Sequence, residues 1–116
     1  AAFDARMGEL YWGAYQIDAS RIARLVGDEQ VGHPEVIALP SGEGWFGVGQ
    51  GWDAHGDALR QRIGSRLTGI EPALLCNACD IAVLAGAAFT EGERGVPAEQ
   101  GLPVYLRERV AWKKTP

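Results

Sequence analysis

The amino-acid sequence predicts a single-domain α/β fold, in which an opening group of strands is followed by helices that alternate with further strands. Three observations support this prediction. The first residues have the pattern of a β-hairpin, and two segments that begin near residues 53 and 77 have the apolar spacing of helices. Short apolar runs before these segments are candidate strands. With 116 residues, the chain has the size of one domain and can bury roughly two-thirds of its unfolded surface.

The first seventeen residues predict two antiparallel strands joined by a tight turn. Residues 1–3 are an apolar run that ends at Asp4, and residues 9–17 are rich in aromatic and β-branched side chains. Gly8 supplies the backbone freedom that the turn needs. Since the sequence opens on an apolar strand without an initiator Met, we expect the chain to be part of a longer one.

A third strand and a short helix are expected next. Apolar and polar residues alternate loosely over residues 21–31, which predicts the strand. The helix is predicted over residues 35–39, because Pro34 suits a first helical position and Pro40 would end the helix.

The following segment predicts a strand, a turn and an amphipathic helix. Residues 45–48 are a compact apolar strand, and the glycine-rich residues 49–52 form the turn that leaves it. Asp53 is a candidate N-cap. The apolar residues of the helix recur at every fourth position, as expected for a face that lies on a sheet: Leu59, Ile63 and Leu67.

A last strand and helix complete the predicted order βββαβαβα. Residues 73–75 are a candidate edge strand, and Asn77 resembles the N-cap of a helix that ends near Gly92. We expect one side of this helix to pack on the sheet; its residues are Ile81, Leu84, Ala88 and Phe89. Residues 1–101 form the predicted domain, and residues 102–116 an extended tail.

The charge of the chain is unevenly distributed. The net charge is −4, but residues 107–114 contain four basic residues and one acid, so this segment carries +3 and the rest −7. An acidic body repels phosphate groups, whereas a basic tail can contact a phosphate or an acidic partner surface. No apolar run approaches the roughly 20 residues that a membrane span needs. Two cysteines without an extracellular signature indicate the reducing cytoplasm.

Cys76 and Cys79 form the most conspicuous short motif, CNAC. A CxxC at a helix N-terminus supports dithiol chemistry in some proteins. The βαβ start of a thioredoxin is missing here, and a zinc site would have only His33 and His55 as further ligands. The interpretation we favour is a pair of buried structural cysteines, and a dithiol oxidoreductase remains an alternative.

The glycine-rich residues 47–51 lie between a strand and a helix, where glycine loops can bind phosphate. They match neither a P-loop nor a complete GxGxxG, so a tight turn is the favoured interpretation. The sequence also shows no HExxH motif, no nucleophile elbow and no carboxylate pair at a telling spacing. We therefore expect a chain that is not a self-sufficient enzyme and that uses no metal or cofactor.

Two segments resemble the bacterial TsaB (YeaZ) family. The sequence DARMGELYW of residues 4–12 is similar to the hairpin that opens the second half of that family. PVYLR at residues 103–107, followed by VAWKK at 110–114, is similar to its C-terminal end, and GQGW at 49–52 fits its glycine turn. The resemblance covers essentially the whole chain, but only about the C-terminal half of a family member.

The resemblance implies a ribonuclease H-like (actin-like ATPase) lobe, with helices packed on a mixed sheet. It implies a cytoplasmic, non-catalytic subunit that pairs with a metal-dependent ATPase of the TsaD type and with TsaE. That complex forms threonylcarbamoyladenosine in tRNA, which the subunit would meet only through the complex. An actin-fold ATPase or glycoprotease-like enzyme is the alternative. Exposure of a face that the missing half would cover leads us to expect a possible homodimer.

The candidate partner and cleft residues lie on the hairpin, the glycine turn and the tail. We expect the charged hairpin residues either to form a tip ion pair or to organise a cleft between lobes. The aromatic and basic tail residues are expected to fold back over the domain or to meet a partner. The complete set is Asp4, Arg6, Glu9, Tyr11, Gly49, Gly51, Trp52, Tyr105, Arg107, Trp112 and Lys113.

Overall fold

The computed structural model describes residues 1–107 and confirms the α/β class. The strands within these residues are β1 (Ala2–Arg6), β2 (Glu9–Ile17), β3 (Ala23–Gly32), β4 (Trp45–Val48) and β5 (Leu67–Glu71). The α-helices of the same range are α1 (Gly51–Ile63) and α2 (Ala78–Thr90), and short 3₁₀ turns occur at Gly64–Arg66 and Ala98–Gln100. The predicted bounds of the second and fourth strands are confirmed.

The first three strands form an antiparallel sheet in the order β1-β2-β3. Arg6 pairs with Glu9, so the β1–β2 hairpin has the two-residue loop Met7-Gly8. The φ angles of Met7 and Gly8 are 57° and 76°, as a type I′ turn requires. The twist of such a turn matches that of the strands. The pairing of β1 with β2 shifts register between Asp4 and Arg6.

The parallel pair β4-β5 and helix α1 complete the packed body. The helix connects the two strands, as parallel pairing requires, and lies against the first sheet. Leu59 and Ile63 of α1 are buried, as predicted, together with Leu10 and Trp12 of β2. Leu67, by contrast, is the first residue of β5, because α1 ends at Ile63 and is followed by the C-cap residue Gly64, whose φ is 62°.

The helix predicted over residues 35–39 is wrong, because this segment is a single turn. The amides of Val36 and Ile37 both donate to the carbonyl of His33, and no further helical turn follows. Side chains from elsewhere in the chain bond several backbone groups of this region. Arg62 donates to the carbonyls of Pro34 and Ile37 at 2.6 and 3.0 Å, and the side-chain amide of Gln30 bonds both backbone groups of Ala38.

Two further boundaries differ from the prediction. Helix α1 begins at Gly51 and its N-cap is Gln50, so the prediction of Asp53 as the N-cap is wrong. Asp53 lies in the first turn, where its carboxylate interacts favourably with the helix dipole. The strand predicted at residues 73–75 is instead β5 at Leu67–Glu71, and residues 73–75 belong to the connection. Pairing with β4 determines this position, and that partner is distant in sequence.

Helix α2 begins as predicted but packs differently. The amide of Cys79 donates to Oδ1 of Asn77 at 2.9 Å, which confirms Asn77 as the N-cap. The expected packing of α2 on the sheet is wrong for the part of the chain that the structure describes, where none of the residues of α2 is buried. Its C-terminus is instead held at the side of the sheet, where Glu91 pairs with Arg24 of β3.

The cysteines are also not buried. Cys76 lies in the connection before α2 and Cys79 in its first turn, and both thiols are exposed because α2 stands away from the core. Neither helix described here is long and apolar enough to cross a lipid bilayer. After the last 3₁₀ turn, residues 102–107 have no regular secondary structure.

Candidate interaction site at the β1–β2 hairpin

The tip of the hairpin holds an ion pair in a strained turn. Arg6 has a φ of 65°, which is uncommon for a residue with a side chain. Its backbone N–H donates to Oδ1 of Asp4 at 2.9 Å, and its Nη1 lies 3.2 Å from Oδ2 of the same carboxylate. The carboxylate of Asp4 therefore bonds both the backbone N–H and the guanidinium of Arg6. The Arg6 side chain is otherwise 87% exposed and is available to a partner.

His33, Gln50 and His55 lie beside the turn end of the hairpin. Nδ1 of His33 lies 3.0 Å from the carbonyl oxygen of Gly8, and the amide of Asp4 donates to the side-chain oxygen of Gln50 at 3.4 Å. Nε2 of His55 is buried, 4.0 Å from Oδ1 of Asp4, and has no hydrogen-bond partner in the described part of the chain.

The C-terminal segment returns to this hairpin through Arg107. Nη2 of Arg107 donates to the carbonyl oxygen of Ala5 at 3.0 Å and to the carboxylate of Glu9. The side chains of Arg107 and Glu9 are 20% and 26% exposed, so the ion pair is partly shielded from solvent. Trp112 and Lys113, the other basic or aromatic candidates of the tail, lie outside the described residues.

Aromatic side chains lie next to this ion pair. Tyr11 of β2 and residues 104–107 line a shallow cavity of about 230 Å³. Tyr105 is 78% exposed and Val104 80% exposed. We refer to the candidate residues of the hairpin and of the returning segment together as the hairpin–tail surface: Asp4, Arg6, Glu9, Tyr11, Tyr105 and Arg107.

Gly49 and Gly51 lie apart from this surface, where β1 crosses the start of α1. A Cβ atom at Gly49 would lie 2.4 Å from the carbonyl oxygen of Ala2, and one at Gly51 would lie 2.7 Å from the carbonyl carbon of Ala2. The φ of Gly49 is also positive, at 99°. Close approach of two backbone segments thus explains both glycines.

Trp52 is part of the core and is only 3% exposed. Its ring is tilted against that of Trp12, with the ring centroids 6.1 Å apart. Both rings line an apolar cavity of about 510 Å³ between the two sheets. The Trp52 indole N–H has no hydrogen-bond partner among residues 1–107. Trp52 is therefore not grouped with the hairpin–tail surface.

Two polar clusters had no clear signal in the sequence. Arg24 donates to Asp18 at 2.8 Å and to Glu91, and its hydrogen bond lowers the pKa of the Glu91 carboxyl. Burial and the hydrogen bond to Glu29 raise the pKa of Tyr15 to about 12. Arg24 and Glu91 are 67 residues apart, and their pairing depends on where α2 ends. Asp18 and Arg24 are only six residues apart, so a turn predicted between them could have indicated their pairing.

The residues described here contain no group of three or more His, Cys, Asp or Glu side chains placed to hold a metal ion. An antiparallel sheet of three strands, followed by a parallel pair with its crossover helix, is the order expected for one lobe of the ribonuclease H-like (actin-like) class. No family model matches the sequence.

Comparison with individual proteins gives a consistent answer. The chain is 44% identical over 120 residues to the tRNA threonylcarbamoyladenosine biosynthesis protein TsaB of Escherichia coli K12, and 33% identical over 126 residues to the TsaB of Haemophilus influenzae. All of the chain is matched in both alignments. It spans about half the length of these curated relatives, since the alignments cover 50% of each.

Solved structures agree with these relatives. The structure of YeaZ from Pseudomonas aeruginosa matches 90% of this chain and 47% of its own, with a TM-score of 0.76 and 44% identity. A second structure, described as an uncharacterized protein with similarity to peptidase YEAZ from Pseudomonas aeruginosa, has a TM-score of 0.78 over 91% of this chain and 47% of its own, also at 44% identity. The resemblance to the TsaB (YeaZ) family is thereby confirmed, over half of a family member.

Proposed function

We propose that this chain acts as a non-catalytic scaffold lobe in the formation of threonylcarbamoyladenosine in tRNA. Its whole length is similar to half of proteins named for that biosynthesis, at 44% identity to the first of them. Residues 1–101 would be the lobe and residues 102–116 its C-terminal tail. As a subunit of a tRNA-modifying complex, it would act in the cytoplasm.

The observation that carries the scaffold role is the contact of Arg107 with Glu9 and Ala5. It joins the C-terminal segment to the hairpin, although the two are 98 residues apart, and leaves Arg6 and Tyr105 facing solvent beside it. Exposed arginine and tyrosine side chains on a fixed surface are typical of protein interfaces. The carboxylates of the hairpin are each paired with an arginine, Asp4 with Arg6 and Glu9 with Arg107. Carboxylates paired in this way suit binding of a partner better than proton transfer.

The partner that fits this proposal is a TsaD-type metal-dependent ATPase, acting with TsaE. The acidic body of this chain disfavours direct binding of tRNA, so tRNA would be met through the complex. The hairpin–tail surface would then contact the ATPase directly. Its two exposed candidates, Arg6 and Tyr105, are the residues to change first.

The proposal is tested by calorimetric titration of the 116-residue chain into the purified E. coli TsaD-type ATPase. We expect binding, and we expect Arg6→Glu and Tyr105→Ala each to weaken it about tenfold, since an interface contact of this type is worth ~1.4 kcal/mol. The melting temperature should change little, because both side chains are exposed. Arg60→Glu, an exposed arginine of α1, is the control that should leave binding unchanged.

Other results would count against the proposal. Equal weakening by Arg60→Glu would indicate a general charge effect instead of a specific surface. Hydrolysis of ATP by this chain alone, above background, would favour the ATPase alternative. No binding by this chain, together with binding by intact E. coli TsaB, would place the partner surface in the half that this chain does not span.

A second candidate function is dithiol chemistry, which the exposure of both Cys76 and Cys79 favours. Exposed thiols three residues apart at the start of α2 can reach a disulfide substrate. A dithiol enzyme would accelerate the reduction of insulin by dithiothreitol, and Cys76→Ser would abolish the acceleration. An insulin reduction rate equal to that of dithiothreitol alone would eliminate this candidate.

A further inference from the structure

Two free thiols flank the N-cap residue of α2. Cys76 lies in the connection that leads into the helix, and Cys79 lies in its first turn. Both are exposed, and neither belongs to the apolar core of the described residues. Two exposed thiols three residues apart are able to form a disulfide within one chain by thiol–disulfide exchange. Packing of the core gives this pair no role, so its chemistry is the feature to explain.

Cys79 lies on a different side of α2 from the apolar residues in the middle of the helix. It shares a side with Thr90, since positions eleven residues apart nearly coincide when viewed along a helix. Leu84 and Ala88 lie on the opposite side. A protein surface that covers Leu84 and Ala88 would therefore leave Cys79 open to solvent.

Asn77 keeps the two cysteines apart in the reduced chain. Its backbone is extended, with φ −128° and ψ 137°, and its side-chain oxygen accepts the N–H of Cys79 at 2.9 Å. A residue in this conformation is not part of a tight turn, in which the first and fourth Cα atoms come within about 7 Å of each other. A disulfide needs Cα atoms about 4.4–6.8 Å apart, so Cys76 and Cys79 can be bridged only after the backbone at Asn77 rotates.

The N-cap and a disulfide therefore exclude each other. Rotation of Asn77 into a turn would remove its side chain from the amide of Cys79. It would also move the carbonyl of Asn77, which accepts the first helical hydrogen bonds, from Asp80 and Ile81. A helix whose first amides lose their partners frays at that end. Since α2 has no buried residue among residues 1–107, packing within this range does not hold its first turn in place.

We propose that Cys76 and Cys79 form a thiol-oxidation site, at which a low-molecular-weight disulfide of the glutathione type converts the pair to an internal disulfide and uncaps α2. This proposal concerns modification of the chain itself. It requires no turnover of a substrate, and it does not depend on the proposed role in tRNA modification.

The oxidation takes place in two exchange steps. The sulfur of one cysteine first attacks the small disulfide, so that one small thiol leaves and a mixed disulfide joins the protein to the other half. The second cysteine then attacks the protein sulfur of this bond, and the second small thiol leaves. The two cysteines lose two electrons and two protons. The small disulfide gains the electrons, and the protons pass to the two thiols that it releases.

The test equilibrates the 116-residue chain with mixtures of reduced and oxidised glutathione. After acid quenching and alkylation of the remaining thiols, the intact mass distinguishes free thiols, an internal disulfide and bound glutathione. We expect the internal disulfide to replace both thiols as the share of oxidised glutathione rises, with adducts only in a minor fraction. Cys76→Ser has no second thiol to complete the exchange, so it should accumulate the glutathione adduct at Cys79.

Substitution of Asn77 tests the link between oxidation and the cap. Asn77→Ala removes a hydrogen bond that stabilises only the dithiol form, so it should raise the equilibrium constant for disulfide formation about fivefold. Asn77→Ser is the matched control, because serine caps a helix about as well as asparagine does. It should change the constant by less than about twofold.

Hydrogen exchange measures the structural change in α2. In the oxidised chain, the amides of Cys79, Asp80 and Ile81 should exchange at least about fivefold faster than in the reduced chain, and those near Thr90 should change less. A variant with both cysteines replaced by serine controls for direct effects of glutathione. Its exchange should be the same in the reducing and the oxidising mixture.

Three results would overturn the proposal. The first is stable glutathione adducts or disulfide-linked dimers in place of the internal disulfide. The second is an equal equilibrium constant in Asn77→Ala and Asn77→Ser, and the third is an internal disulfide that leaves exchange in the first turn unchanged. An internal disulfide that Asn77→Ala favours and that accelerates exchange at Cys79 supports the proposal.

Discussion

Gly51 illustrates how a single missing side chain allows β1 to cross the start of α1. A Cβ atom there would lie 2.7 to 2.9 Å from backbone atoms of Ala2 and Phe3, which cannot move as a flexible side chain can. We expect Gly51→Ala to lower the free energy of unfolding by about 1–3 kcal/mol, the usual cost of overpacking. Chemical denaturation of the purified variants measures this change.

Gly86 is the matched control for this substitution. It lies within α2, and a Cβ atom added there would meet nothing within 4 Å. Because alanine favours a helix over glycine by about 1 kcal/mol, Gly86→Ala should leave the stability unchanged or raise it slightly. A loss of stability in Gly86→Ala as large as that in Gly51→Ala would show that backbone crowding is not the cause.

Residue-level predictions from the sequence succeeded where the interaction is local. Asn77 was identified as an N-cap because its side chain bonds an amide only two residues further along the chain. The burial expected for Cys76 and Cys79 was wrong, because it depends on what packs against α2. The return of Arg107 to Glu9 could be expected only as one of two alternatives, since its partner is 98 residues away.

At the scale of elements, the link between β3 and α2 depends on charge. The hydrogen bond from Arg24 lowers the pKa of Glu91, and the pKa of Asp18 is lowered by the backbone N–H of Ile22 and then by Arg24. The pKa values in the unfolded state are 4.5 for Glu91 and 3.8 for Asp18. Because both pKa values are lower in the folded state, these contacts stabilise the fold fully at a pH above the unfolded values. This stabilisation is lost as the pH falls below them, because the folded state must then take up protons against these contacts.

We therefore expect Arg24→Gln to reduce the acid sensitivity of the protein. The wild-type melting temperature should fall between about pH 6 and about pH 3, and the difference between variant and wild type should be smaller at the acidic end. Arg60→Gln, which replaces an exposed arginine of α1, is the control. It should change the melting temperature by the same amount at both pH values. A difference for Arg24→Gln that does not vary with pH would contradict the assigned role of the ion pairs.

The elements that were predicted correctly are those whose pattern is contained within them. The aromatic and β-branched content of β2 and the compact apolar run of β4 were sufficient to predict their bounds. The turn at residues 34–37 was predicted as a helix from its flanking prolines. Its carbonyls are bonded instead by Arg62 of α1, a contact that the local sequence does not show. The position of β5 depends on parallel pairing with β4, which no local pattern records.

In the molecule as a whole, the C-terminal end of the described chain contacts the hairpin, whereas α2 lies outside the packed body. The core contains residues of β1, β2 and α1, and its buried aromatic centre is the pair Trp12 and Trp52. Arg107 contacts Ala5 and Glu9, near the start of β2. Arg24, which bonds Glu91, pairs with Gln16 near the other end of β2. The two polar contacts therefore hold separate parts of the chain and should contribute independently.

The closing contact can be measured by a double-mutant cycle with Glu9→Gln and Arg107→Gln. We expect a coupling energy of about 1 kcal/mol, above the usual value for exposed pairs, because both side chains are mostly shielded and Arg107 also bonds the carbonyl of Ala5. Asp57 and Arg60 form the control pair, 3.8 Å apart and largely exposed, with an expected coupling near zero. Equal coupling in the two cycles would mean that the C-terminal segment is not fastened to the hairpin through Arg107, and the hairpin–tail surface would then lose its physical basis.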